Sequence, residues 1–146
     1  MVVISNKAYD IVVVNWICNL YNHVPELLNH VLLINTDQSH SRYFKSKGIN
    51  SVYLNIDDVL QLVASEKRLL WMARSLLTHY ILFRGWNVMI IDADAIVFRD
   101  PFLLLDEFDM DIIFGVGRYP HPIRDMWGFT GCAGTAIYKY TPNTSD

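Results

Sequence analysis

Long apolar runs, basic clusters, zinc-spaced histidines and a cysteine framework are all missing from this sequence. No window holds about 18 apolar residues free of charge, so no membrane-spanning helix is expected. The nearest candidate, Ile11 to Leu20, is short and broken by Asn15 and Asn19. The N-terminus lacks the basic, then apolar, then small-residue order of a secretory signal. With a net charge of −3 and no interleaving of arginines with aromatics, nucleic acid is not the expected partner. His23, His30, His40, His79 and His121 show no paired spacing suited to zinc and read as surface or core histidines. The two cysteines, Cys18 and Cys132, lie far apart; a disulfide and free buried thiols both stay open. No internal repeat, low-complexity run or linker interrupts the chain.

What is present is core material. A chain of 146 residues that is 52% apolar and 13% aromatic has the length of one domain, 1–146, and ample side chains to fill it. Val2 to Ser5, Val31 to Ile34 and Val88 to Ile91 are short continuous apolar runs, the pattern of strands buried on both faces. Ser51 to Leu54, Ile112 to Phe114 and Thr135 to Tyr140 read as further strands, the last running towards Pro142. Between them fall expected helices: Tyr9 to Tyr21, broken by Asn22-His23-Val24-Pro25; Ser39 to Lys47, stopped by Gly48; and a short helix from Asp57 or Asp58 to Val63. The clearest helix follows Ser65, with one apolar face through Leu69, Leu70, Ala73, Leu76, Leu77, Tyr80 and Ile81, until Gly85 stops it. Asp100-Pro101 is expected to end regular structure locally. Alternating strands and helices favour an α/β fold: a mostly parallel, Rossmann-type sheet with helices on both faces and antiparallel additions near the carboxyl end.

Chemistry concentrates where Val88-Met89-Ile90-Ile91 runs into Asp92-Ala93-Asp94. Ligands of open α/β sheets gather at the carboxyl ends of strands, where these acids sit. Spaced by two, the carboxylates would share one face of a regular strand and could reach one cation. A hard ion such as Mn²⁺ or Mg²⁺ takes carboxylate and phosphate oxygens together. A weakly acidic protein binding a diphosphate at two aspartates needs such an ion between them. Taken alone, however, an Asp-x-Asp at a strand end equally suits two acids facing water.

The longer context is more specific. Arg74, then Gly85, the apolar strand, Asp92-Ala93-Asp94, and Arg99-Asp100-Pro101-Phe102 follow a recognisable order, as does Gly131-Cys132-Ala133-Gly134 leading into Ile137-Tyr138-Lys139-Tyr140-Thr141-Pro142. In these segments the chain resembles the nucleotide-diphospho-sugar transferases, glycosyltransferases of the GT-A fold that include plant xylosyl- and arabinosyltransferases. The resemblance extends loosely to Val2-Val3-Ile4-Ser5-Asn6 and Asn15-Trp16. It implies a GT-A-like, Rossmann-type domain, truncated on its C-terminal side because the family's domains run well past the end of this chain. It further implies that Asp94 binds Mn²⁺ or Mg²⁺ directly and that Asp92 holds the metal or the ribose. Ser5, Asn6, Arg74 and Ala93 would complete the donor site.

The expected reaction is metal-dependent transfer of a sugar from a nucleotide-diphospho-sugar, a UDP-sugar foremost, to a hydroxyl of a glycan or protein. Family resemblance implies retention at the anomeric carbon and a Golgi or secretory-pathway lumen; Asn143-Thr144-Ser145 also fits an N-glycosylation acceptor. No residue stands out as nucleophile or base. Arg118 to Trp127 reads as an acceptor-side loop in which Tyr119 and Trp127 offer flat faces to sugar rings. Cys132 and Gly134 lie in a small-residue stretch that either lets an acceptor approach the backbone or simply makes a turn. Two other readings stay open. One is a non-catalytic transferase remnant that binds nucleotide or a partner protein. The other is a haloacid-dehalogenase-like phosphatase with Asp92 as nucleophile, although Ile96 stands where its motif expects Thr or Val.

Overall fold

The computed structural model describes residues 1–55, 66–117, 125–126 and 130–141. The expected Asp57 or Asp58 to Val63 helix, the Ser65 cap, Tyr119, His121, Trp127, Pro142 and the Asn143 acceptor sequence lie outside the described residues. Among those described, six strands form one sheet: β1 (Val2–Ser5), β2 (Leu32–Asn35), β3 (Ser51–Tyr53), β4 (Val88–Ile91), β5 (Ile112–Gly117) and β6 (Thr130–Tyr138). Their order is β3-β2-β1-β4-β6-β5. β1 to β4 are parallel, and β6 runs antiparallel between β4 and β5.

The apolar runs make strands because both faces of the sheet are covered. Val2, Ile34, Val88 and Ile90 pack on one face with Leu77, Ile81 and Leu82 of helix α3 (Glu66–Phe83). Val3, Leu33, Met89 and Ile91 point to the other, meeting Val13, Trp16 and Leu20 of helix α1 (Asp10–His23) and Phe44 of helix α2 (Gln38–Ser46). Strand side chains alternate between faces, so neighbouring residues feed two separate cores.

Local signals start and stop the elements. Asn6 closes a 3₁₀ turn at Lys7–Tyr9 by accepting from the Ala8 N–H at 3.1 Å, and α1 follows at once. Val24-Pro25 ends α1 as expected, with Pro25 opening a second 3₁₀ segment to His30. Asp37 caps α2, one residue earlier than the Ser39 start expected, accepting from the amides of Ser39 at 2.9 Å and His40 at 3.1 Å. Gly48 and Gly85 take φ of +81° and +83° behind α2 and α3, a conformation few other residues tolerate.

Four expectations need correction. The expected face of α3 is buried only in part, through Leu69, Leu70, Ala73, Leu77 and Ile81. Leu76 and Tyr80 are exposed, while Leu82 and Arg74 lie towards the sheet, because apolar residues on both sides of the helix blur its phase. Structure does not lapse after Pro101: Asp100 accepts from the Phe102 amide at 2.8 Å and helix α4 (Leu103–Glu107) follows. Gly131 to Gly134 is strand, not turn, because β6 begins at Thr130 and pairs with both β4 and β5. Cys18 and Cys132 are both free and both exposed, so they are neither bridged nor buried.

Candidate functional site

The strand order reverses between β1 and β4, the point at which an open α/β sheet leaves a crevice beyond its carboxyl ends. Val2 of β1 pairs with Ile90 of β4, so the segments that leave these two strands emerge side by side. A cleft of about 440 Å³ opens there, lined by Ser5, Asn6, Tyr9, Trp71, Arg74 and the Asp92-Ala93-Asp94 turn, together with Ile4 and Leu70. Every residue expected from the sequence to bind the donor lies in this one cleft.

The two acids reach it by a route different from the one expected. β4 ends at Ile91, and Asp92 to Asp94 form a turn closed by a 3.0 Å hydrogen bond from the Ala95 amide to the Asp92 carbonyl. They are therefore not equivalent neighbours on one strand face. Asp92 is held from two sides. Its backbone N–H donates to the Gly134 carbonyl of β6 at 2.7 Å, extending the β4–β6 ladder by one step. Its Oδ1 accepts from Arg74 Nη1 at 2.6 Å, a charge-assisted contact between a guanidinium 16% exposed and a carboxylate 48% exposed. Asp94, inside the turn, is exposed.

The turn rests on a fixed base. Val97, buried three residues after Asp94, donates its N–H to Asn19 Oδ1 of α1 at 2.9 Å, so a helix polar residue pins the chain just after the acids. On the opposite wall α3 presents Arg74 with Trp71, the guanidinium lying 5.8 Å from the indole centroid, within cation–π range. Trp71 and Tyr9, each about half exposed, give the cleft two flat aromatic surfaces. The sequence reading missed both. Trp71 was within reach of it, since it stands three residues before Arg74 on the same helix face.

Asp92 and Asp94 offer hard carboxylate oxygens of the kind Mg²⁺ and Mn²⁺ prefer. No group of three His, Cys, Asp or Glu suited to a metal occurs among the described residues, so a cation held by these two carboxylates would take its remaining ligands from water or from a bound molecule. Elsewhere, His40 pairs through Nδ1 with Asp10 Oδ2, tying α2 to α1, and His23 and His79 contact Phe98 and Phe83. Of the residues expected on the acceptor side, Cys132 and Gly134 sit on β6, with Gly134 directly against Asp92; Tyr119 and Trp127 lie outside the described residues.

The model of one protein family, described as nucleotide-diphospho-sugar transferase, matches residues 26–146. The chain belongs to the nucleotide-diphospho-sugar transferase family. No curated protein and no solved structure matches it. The matched span begins within the second 3₁₀ segment and extends past β6, and so includes Arg74, Asp92, Asp94, Cys132 and Gly134. Ser5, Asn6 and Tyr9 precede it and enter the cleft through the pairing of β1 with β4. Family membership makes a nucleotide-sugar the donor and gives this transferase a glycosyltransferase-type activity. No helix among the described residues is long and apolar enough to cross a membrane.

Proposed function

We propose that this family member binds a UDP-sugar in the cleft between β1 and β4 and transfers the sugar, with retention, to a hydroxyl of a glycan or protein. The observation that carries the reading is the convergence of Asn6, Arg74, Asp92 and Asp94 on one cleft at the strand-order reversal. Asp94 would ligate Mn²⁺ or Mg²⁺ directly, and Asp92, bonded to Arg74 through Oδ1, would hold the metal or the ribose. When bound, the cation supplies Lewis-acid stabilisation of the charge growing on the leaving nucleoside diphosphate. Arg74 adds a fixed positive charge beside it, and the aromatic faces of Tyr9 and Trp71 exclude water from flat parts of the donor.

In the retaining reaction the bond from the anomeric carbon to the diphosphate oxygen breaks as the acceptor oxygen bonds the same face. The acceptor proton passes to the departing diphosphate, so no protein base is required. Tyr119, Trp127 and Cys132 belong to the acceptor side in this reading. The phosphatase alternative requires Asp92 as a free nucleophile, which its contact with Arg74 Nη1 disfavours. A lumenal, Golgi-type compartment is the setting this reading favours, tested by the glycosylation of Asn143 in a secretory host.

The deciding experiment is calorimetric titration of the protein with UDP in Mn²⁺ and in EDTA. Binding that requires Mn²⁺ and disappears in Asp94→Ala is expected, while equal binding in Mn²⁺ and EDTA, or none in either, rejects the proposal. Release of free sugar from candidate UDP-sugars, with and without hydroxyl acceptors, then reads turnover.

A further inference from the structure

Gly134 lies within the nine-residue strand β6, between Cys132 and Ala136, where the pairing with β5 shifts register, although its carbonyl still bonds the Asp92 amide beside β4. Its backbone does not ask for glycine: among the described residues only Gly48 and Gly85 take positive φ. Space does. A methyl carbon built on Gly134 would lie 2.5 Å from Asp92 Oδ2 and 3.4 Å from Asp92 Cγ, closer than any packed contact allows at the first atom. The missing side chain is therefore filled by the Asp92 carboxylate, whose other oxygen is held by Arg74 Nη1 at 2.6 Å and whose amide is bound to the Gly134 carbonyl.

We infer that Gly134 is a positioning residue for the donor site. By leaving room on β6, it lets the Asp92 carboxylate lie between strand and α3, where it orients Arg74 into the cleft and leaves exposed Asp94 free for a cation. The inference rests on the donor-binding reading for its consequence, though not for its geometry. It gives Asp92 a task that Asp94 lacks, setting the arginine through Oδ1 in addition to any contact with the ligand. It also reassigns Gly134 from the acceptor side, where its sequence neighbourhood suggested it, to the donor side.

Gly134→Ala tests this because the obstructing atom is the end of a side chain and not backbone, so the fold can survive by turning the carboxylate away from Arg74. Melting temperatures of the wild type, Gly134→Ala, Asp92→Ala and the double variant form a ligand-free cycle. With Asp92 removed, the added methyl meets no carboxylate and raises Tm by about 2–3 °C, as alanine in place of an unstrained strand glycine should. With Asp92 present, that gain is absent or reversed. Equal shifts in both backgrounds overturn the inference. In the ligand arm, Gly134→Ala weakens Mn²⁺-dependent UDP binding ~10-fold or more, as displacement of a bound contact by an ångström does. Undiminished binding overturns the inference too. If the wild type itself binds no UDP, the proposed function falls, and the thermal cycle still decides the role of Gly134.

Discussion

Asp92 and Asp94 show how far two residues of one type, two positions apart, can differ. The first follows the last residue of β4 and pairs with Arg74 while half exposed; the second stands in the turn itself and is exposed. The expectation is that Arg74→Ala, which leaves Asp92 without its partner in a half-exposed setting, costs no more than about 1 kcal/mol of stability. Its larger effect is on donor affinity, read by UDP titration as a drop of roughly 10-fold. A second residue, Asp37, acts on the fold alone. Hydrogen bonds from the Ser39 hydroxyl and then the His40 amide hold its carboxyl below the ordinary value of 3.8. A depressed carboxyl adds stability above the ordinary carboxylate range and loses it as pH falls through the lowered value. Asp37→Ala should therefore lower Tm by a few degrees at neutral pH, Asp37→Asn by less, and the gap from wild type should close in acid, as circular dichroism melts across pH would record.

At the scale of elements, the sequence placed helices and strands well where one signal dominated and poorly where two competed. The β4 boundaries were legible because Val88 to Ile91 is uniformly apolar and ends abruptly in charge. The face of α3 was legible only in part, because Met72, Leu76 and Phe83 on its outer side are as apolar as Leu69 and Leu82 beneath it. Arg74, expected at the donor site by resemblance, is carried by this helix onto Asp92 just after β4. β6 was read too short because three small residues, Gly131, Cys132 and Gly134, carry no strand pattern until their pairing with β5 is seen. Asn19 looked like a flaw in an apolar helix, yet it joins α1 to the acid turn. Replacing Asn19 with Ala strands the Val97 amide and should cost about 1–2 kcal/mol. Urea unfolding reads that loss, and faster amide exchange at Val97 reads the loosened turn.

For the molecule as a whole, the cleft draws on β1, β4 and α3, so a ligand there binds only when all three are assembled. Under the proposed function, UDP with Mn²⁺ at about 100 times its dissociation constant adds ~2.7 kcal/mol to the folded state and raises Tm by roughly 5–10 °C. Chelation of the metal should return Tm to its unliganded value, which differential scanning fluorimetry can follow. The free, exposed state of both cysteines means that reductant should leave Tm unchanged.

Much was determined by the sequence itself: the α/β class, the parallel core strands, the positive-φ stops at Gly48 and Gly85, and the family to which the chain belongs. These are local matters, set by runs of side chains and by short ordered motifs. Only the tertiary structure decided how β1 and β4 pair to carry Ser5 and Asn6 to the acidic turn, that Arg74 bonds Asp92, and that an empty place on β6 receives a carboxylate. Strand order and inter-element clearance depend on which surfaces pack together, and no local pattern encodes a contact whose partner is distant in the chain.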